Sequence, residues 1–220
     1  MSDGWTQALH ALGPMITGAL LGTVPLALAS FSLGLALALG VALMRLSRHR
    51  LLVAPARAYV SVIRGTPLLV QLFVVFYGLP AVGIVIPPWP SAILAFSLNV
   101  AGYAAETVRA AVAAVPRGQW DAAYMMGMSH TMTLRKVVLP QAARIAVPPL
   151  SNSFIALVKD TSLASLVLVT ELFRRAQQIA AFTQDFMRLY LEAALVYWAV
   201  CLALSAGQSA LEKRLTRYAV

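Results

Sequence analysis

Two groups of polar residues stand inside otherwise apolar stretches of this chain. Asn99, Tyr103 and Glu106 follow an i, i+4, i+7 interval, which lines residues along one face of a helix. Lys159, Asp160, Thr161 and Ser162 are consecutive. Hydrolytic chemistry would need a histidine close to these groups, but His10, His49 and His130 all fall outside the apolar stretches. With one cysteine, Cys201, the chain builds neither a disulfide framework nor a metal cluster. Carboxylates, an ammonium and hydroxyls around a common space could instead hold a zwitterion by both of its charges. Two other uses stay open: Arg109 could neutralise Glu106 three residues before it, and Thr161 and Ser162 could join neighbouring helices by hydrogen bonds.

The elements that must position these groups are membrane helices. Of 220 residues, 60% are hydrophobic and 11% charged, where a soluble domain has about 25% charged residues. No charge interrupts Met15–Met44 or Gly65–Ala105, and each run exceeds the roughly 20 apolar residues of one bilayer crossing. These runs do not alternate, so they do not build a β-barrel. The expectation is an all-α integral membrane protein with five spans at about 15–44, 57–79, 90–113, 149–170 and 188–210, forming one domain over 1–220. Within span three, Glu106 falls roughly 12 Å from the end near Ala114, and Lys159 lies roughly 15 Å into span four. Successive Lys159 and Asp160 point about 100° apart on a helix and so are poorly placed to satisfy each other. Arg64-Gly65-Thr66-Pro67 weakens span two, and a kink is expected there.

Charge sets the orientation. The net charge of +9 is distributed over short loops rather than one soluble face, which points to topology and not to nucleic acid. Arg45, Arg48, Arg50 and Arg57 follow span one; Arg117, Arg135, Lys136 and Arg144 follow span three; Lys213, Arg214 and Arg217 close the chain. The N-terminus and the Pro87–Pro90 loop carry no lysine or arginine, and the Thr170–Arg188 loop mixes both signs. An N-terminus outside and a C-terminus in the cytoplasm follow from the positive-inside rule. MSDGWTQALH lacks the basic start of a cleavable signal peptide, so the first span is expected to remain. Gly18 and Gly22 form a small-xxx-small pair suited to close helix packing. There is no internal repeat to suggest two inverted halves.

Val115–Pro149 is the one long segment between spans, and it is amphipathic. Asp121 near a helix start suits the dipole there, Gly127 can end that helix, and Pro140 can begin the next. By physics alone this segment either lies on the bilayer or binds a partner. Asp121-Ala122-Ala123, Gly127, Val137 and Leu139-Pro140 resemble the signature EAA-x₃-G-x₉-I-x-L-P of bacterial ABC importer permeases, with Asp for Glu and Val for Ile. Further matches are Arg64-Gly65-Thr66-Pro67-Leu68, Tyr103-Ala104-Ala105-Glu106, Leu139-Pro140-Gln141-Ala142 and Lys159-Asp160-Thr161-Ser162-Leu163. Together they resemble the polar amino acid permeases over about positions 57–175, and within that family they are most similar to L-cystine permease subunits.

The resemblance implies the type I ABC importer permease fold, with coupling helices in 115–148 that dock on a cytoplasmic ATPase. Asp121, Ala122, Ala123, Gly127, Leu139 and Pro140 would carry that coupling. Asn99, Tyr103, Glu106, Lys159, Asp160, Thr161 and Ser162 would line the substrate path. It also implies a solute-binding protein outside, a second, identical permease subunit, and a location in the bacterial inner membrane. No G-x-x-x-x-G-K-[ST] loop occurs in the chain, so ATP and Mg²⁺ would be bound by the partner ATPase, and this subunit would not itself be an enzyme. An ion-coupled secondary transporter using Glu106 and Asp160 as proton sites is the alternative.

Overall fold

The computed structural model describes residues 3–47 and 49–216, with side chains for 11–47 and 49–214. Helices α1 (Asp3–Gly18) and α2 (Val24–Leu46) are joined by a π turn at Ala19–Thr23; α3 (Arg50–Gly65) and α4 (Leu68–Phe73) follow, and then α5 (Pro88–Ala114). Short α6 (Arg117–Met125) and α7 (His130–Thr133) lead into α8 (Leu139–Asp160), α9 (Leu172–Thr183) and α10 (Phe186–Thr216). No strand occurs among the described residues.

Ala11–Leu46 and Phe186–Arg214 are each long and apolar enough to cross a bilayer. Arg50–Gly65 with Leu68–Val82, and His130–Val167 with Leu172–Thr183, form two bent pairs that could each make a further span. Helix α5 has 27 residues, about 40 Å of helix, but Asn99, Glu106 and Arg109 dilute its apolar character. It is the central post, packed against α2, α3, α4 and α8. Its buried residues are mostly small, including Ala92, Ala95, Ala101, Ala104 and Ala105, and small side chains let helix backbones approach in a membrane. Leu20, Leu21, Leu43, Leu195 and Trp198 are exposed. In water such a surface would aggregate; here it suits lipid.

Three π turns, Ala19–Thr23, Val74–Gly78 and Leu134–Val138, each end two residues before a proline: Pro25, Pro80 and Pro140. Proline lacks an N–H, and its ring crowds the carbonyl four residues back. A wider turn at that carbonyl relieves both problems and keeps the helix continuous.

Several local expectations change. Span two is not merely kinked: α3 stops at Gly65, Thr66 is extended, and α4 restarts beyond Pro67 at a 107° bend. Pro148 and Pro149 lie inside α8, which begins at Leu139. Thr170–Arg188 is not simply a loop, since α9 occupies most of it. Asp121 sits in the second turn of α6, which starts at Arg117, beyond the first turn where the helix dipole acts.

Candidate functional site: a divided polar interior and a capped short helix

The seven predicted path residues do not share one chamber. Asn99, Tyr103 and Asp160 line a cavity of about 290 Å³ together with Thr66 and Ser153. Tyr103 and Glu106 also line a cavity of about 450 Å³ with Arg45, Arg57, Ser61 and Arg64. Lys159 and Ser162 open instead on a third, more apolar cavity of about 550 Å³ beside Tyr190, Tyr197 and Trp198. Thr161 is buried and donates to the Val158 carbonyl at 2.8 Å. Lys159 and Asp160 form no salt bridge among the described residues. Facing different cavities, they are free to meet different groups.

The break in span two shapes the first cavity. Gln71 lies one turn into α4, and its amide nitrogen reaches the Ile63 carbonyl at 2.8 Å and the Thr66 hydroxyl at 2.9 Å. These bonds satisfy the chain ends that the missing helical turn leaves open. The Gln71 carbonyl oxygen then accepts from the Asn99 side chain at 3.0 Å. Asn99 is therefore oriented by α4. Sequence reasoning passed over Gln71 because nothing local announces its partner 28 residues on.

Glu106 meets Arg109, one of the uses left open above, at 2.5 Å, and its other oxygen is taken by Arg45 from the last turn of α2. With both oxygens engaged by guanidiniums, Glu106 is poorly suited to carry a transported proton. Arg45 counted in the sequence only as a loop charge, and its pairing joins residues 61 apart.

Another acid went unrecognised. Glu171 caps α9 by accepting from the Phe173 and Arg174 N–H groups at 2.9 and 2.6 Å. It also accepts from the Tyr197 hydroxyl at 2.7 Å and the Thr23 hydroxyl at 3.3 Å, and it is fully buried. Gly22 makes this possible, because a Cβ there would stand 2.6 Å from the Thr170 carbonyl oxygen. The Gly18/Gly22 pair thus does pack closely, against the start of α9.

The segment between α5 and α8 is packed and capped. Ala111 and Val112 of α5 pack with Val138 of the π turn and with Ala142 and Ala146 of α8, and Trp120 of α6 closes over them. Trp120 stacks on His130, whose Nδ1 lies 2.8 Å from the Tyr124 hydroxyl. Helix α6 ends in a Schellman motif: Met128 N–H donates to the Ala123 carbonyl and Gly127 N–H to that of Tyr124, at 3.1 and 2.9 Å. Gly127 has φ +78°, the left-handed region that glycine enters without strain. Of the signature residues, Ala123 is buried toward the bundle, Asp121 and Ala122 are exposed, and Leu139-Pro140 opens α8. Met125 and Met126 are 90% and 78% exposed, which leaves an apolar knob on the outer face of a rigid helix.

A family profile described as "Binding-protein-dependent transport system inner membrane component" matches residues 30–217. The L-cystine transport system permease protein TcyB of Bacillus subtilis (strain 168) is 51% identical over 97% of this chain and 92% of that relative. A solved amino acid ABC transporter with histidines superposes with TM-score 0.91 at 33% identity, over 95% of this chain and 97% of that one. The MetNI methionine ABC transporter, at 19% identity and TM-score 0.77, shares the fold. This chain belongs to the family of binding-protein-dependent transport system inner membrane components.

Proposed function

We infer that this chain is the membrane-spanning subunit of an ATP-driven importer for a polar amino acid, L-cystine, in the bacterial cytoplasmic membrane. The observation that carries the reading is α6: a short, capped helix fixed to the ends of α5 and α8, with Tyr124, Met125 and Met126 turned outward. Force from a partner can pass through such an element, whereas a flexible loop would dissipate it. The partner is a separate ATPase that binds ATP and Mg²⁺. Its closure moves α6, and with it the lower ends of α5 and α8, so that the path opens alternately to each side.

Two copies of the permease form the path, and a solute-binding protein delivers substrate to the outer end. The N-terminus lies outside and the C-terminus in the cytoplasm, as the lysine and arginine distribution supports. Asn99, Tyr103 and Asp160 line the route at mid-depth, with Asp160 supplying the negative charge for a substrate ammonium. Lys159 and Ser162 serve from the neighbouring cavity. Cystine as substrate is supported by the 51% identity to TcyB.

Gly127→Glu tests the coupling assignment in the reconstituted complex. Strain of about 1–3 kcal/mol from a side chain at positive φ and a new charge at the docking face should leave ATP hydrolysis in place and abolish uptake. Gly127→Asn, which tolerates the left-handed region, should keep most uptake. Undiminished uptake by Gly127→Glu would sink the reading.

A further inference from the structure

The cavity of about 450 Å³ between the end of α2, α3 and α5 is lined by three guanidiniums, Arg45, Arg57 and Arg64, against one carboxylate, Glu106. Arg45 is committed to Glu106, whose second oxygen is held by Arg109. Arg57 and Arg64 are exposed and make no salt bridge among the described residues. Arg64 lies instead with its guanidinium carbon 5.6 Å from the centre of the Tyr103 ring, a cation–π contact that leaves the guanidinium edge free. Three positive charges and one negative leave two in excess. No acid of the described chain answers them.

We propose that Arg57 and Arg64 form a carboxylate site on the inward side of the path, taking the α-carboxylate of the substrate after it leaves the mid-depth cavity. The guanidinium fork matches a carboxylate with paired hydrogen bonds. Tyr103 lines both cavities, so the two are stations on one route: a substrate with its ammonium at Asp160 has the basic cavity next along the same wall. The Arg45–Glu106–Arg109 cluster, in which both Glu106 oxygens are engaged, forms the floor and keeps Glu106 from competing with the ligand. A lipid headgroup phosphate would also suit two arginines; the shared Tyr103 wall favours the substrate. This inference rests on the importer reading above.

The test is equilibrium binding of radiolabelled L-cystine to the complete permease–ATPase complex in phosphatidylcholine nanodiscs, without binding protein. Loss of charge-assisted hydrogen bonds in Arg57→Gln/Arg64→Gln should weaken cystine binding about tenfold or more, while Arg57→Lys/Arg64→Lys should restore much of it. Cystamine, the same disulfide without carboxylates, should compete poorly with cystine in the wild type and bind equally well to the glutamine variant. The single glutamine variants stand in if the double one does not assemble, each with an intermediate loss expected. Equal cystine affinity in wild type and glutamine variants overturns the proposal. So does displacement of cystine when phosphatidylglycerol replaces phosphatidylcholine, which would make the site a headgroup seat. A wild-type complex that binds no cystine would overturn the substrate reading as well, so the two failures are distinguishable.

Discussion

At the residue scale, the least anticipated feature is Glu171. Its four donors come from α9, from Thr23 at the end of the π turn and from Tyr197 on α10, so one buried carboxylate ties three helices together. Both oxygens accept from N–H groups, and an amide nitrogen would face a donor in either orientation. Glu171→Gln should therefore cost about 1–3 kcal/mol and lower the unfolding midpoint of the purified complex. Tyr197→Phe, which removes one of the four bonds, should cost less. A Glu171→Gln protein as stable as wild type would contradict this assignment. Little of it was legible beforehand. An acid next to the Arg174-Arg175 pair reads as surface charge, and the partners that bury it lie 26 and 148 residues away. Glu106 and Arg109 were legible because they share a helical turn, whereas Arg45 was not.

At the element scale, hydropathy located the apolar segments but not their breaks. Gly65-Thr66-Pro67 signals a weak point; the 107° bend depends on Gln71 replacing the lost backbone bonds, a long-range repair that local pattern does not encode. Gln71→Leu should leave assembly with the ATPase intact and reduce uptake by about tenfold, because the Asn99 amide and the Thr66 corner each lose a partner; normal uptake would refute the role. The contact of the first π turn with the start of α9 gives a second check. Valine at Gly22 would drive its Cβ into the Thr170–Glu171 backbone, 2.6 Å away, and overpacking of this kind costs about 1–3 kcal/mol. Nothing lies within 4 Å of a Cβ at Gly40, so Gly40→Val should be tolerated. Thermal stability of both variants measured side by side decides the point. In the 115–148 segment the end of α6 at Gly127 was legible, because glycine enters the left-handed region there, whereas Pro140 does not begin a helix: the π turn before it keeps the chain helical from His130.

At the scale of the whole molecule, the fold is a post, α5, surrounded by helices that lend it polar side chains from several directions. The cavities along α5 and the rigid α6 at its end are parts of one device only if motion at α6 reaches Asn99, Tyr103 and Asp160. Helices α5 and α8 supply that connection, because both pack on the α6 base and both contribute to the cavity. The most direct measurement is uptake of labelled L-cystine into sealed proteoliposomes containing the permease and its ATPase, with the binding protein and ATP on the appropriate sides and no ion gradient. Uptake is expected to require ATP and to stop when the binding protein is omitted. Uptake driven by a proton or sodium gradient in permease vesicles lacking the ATPase would contradict it.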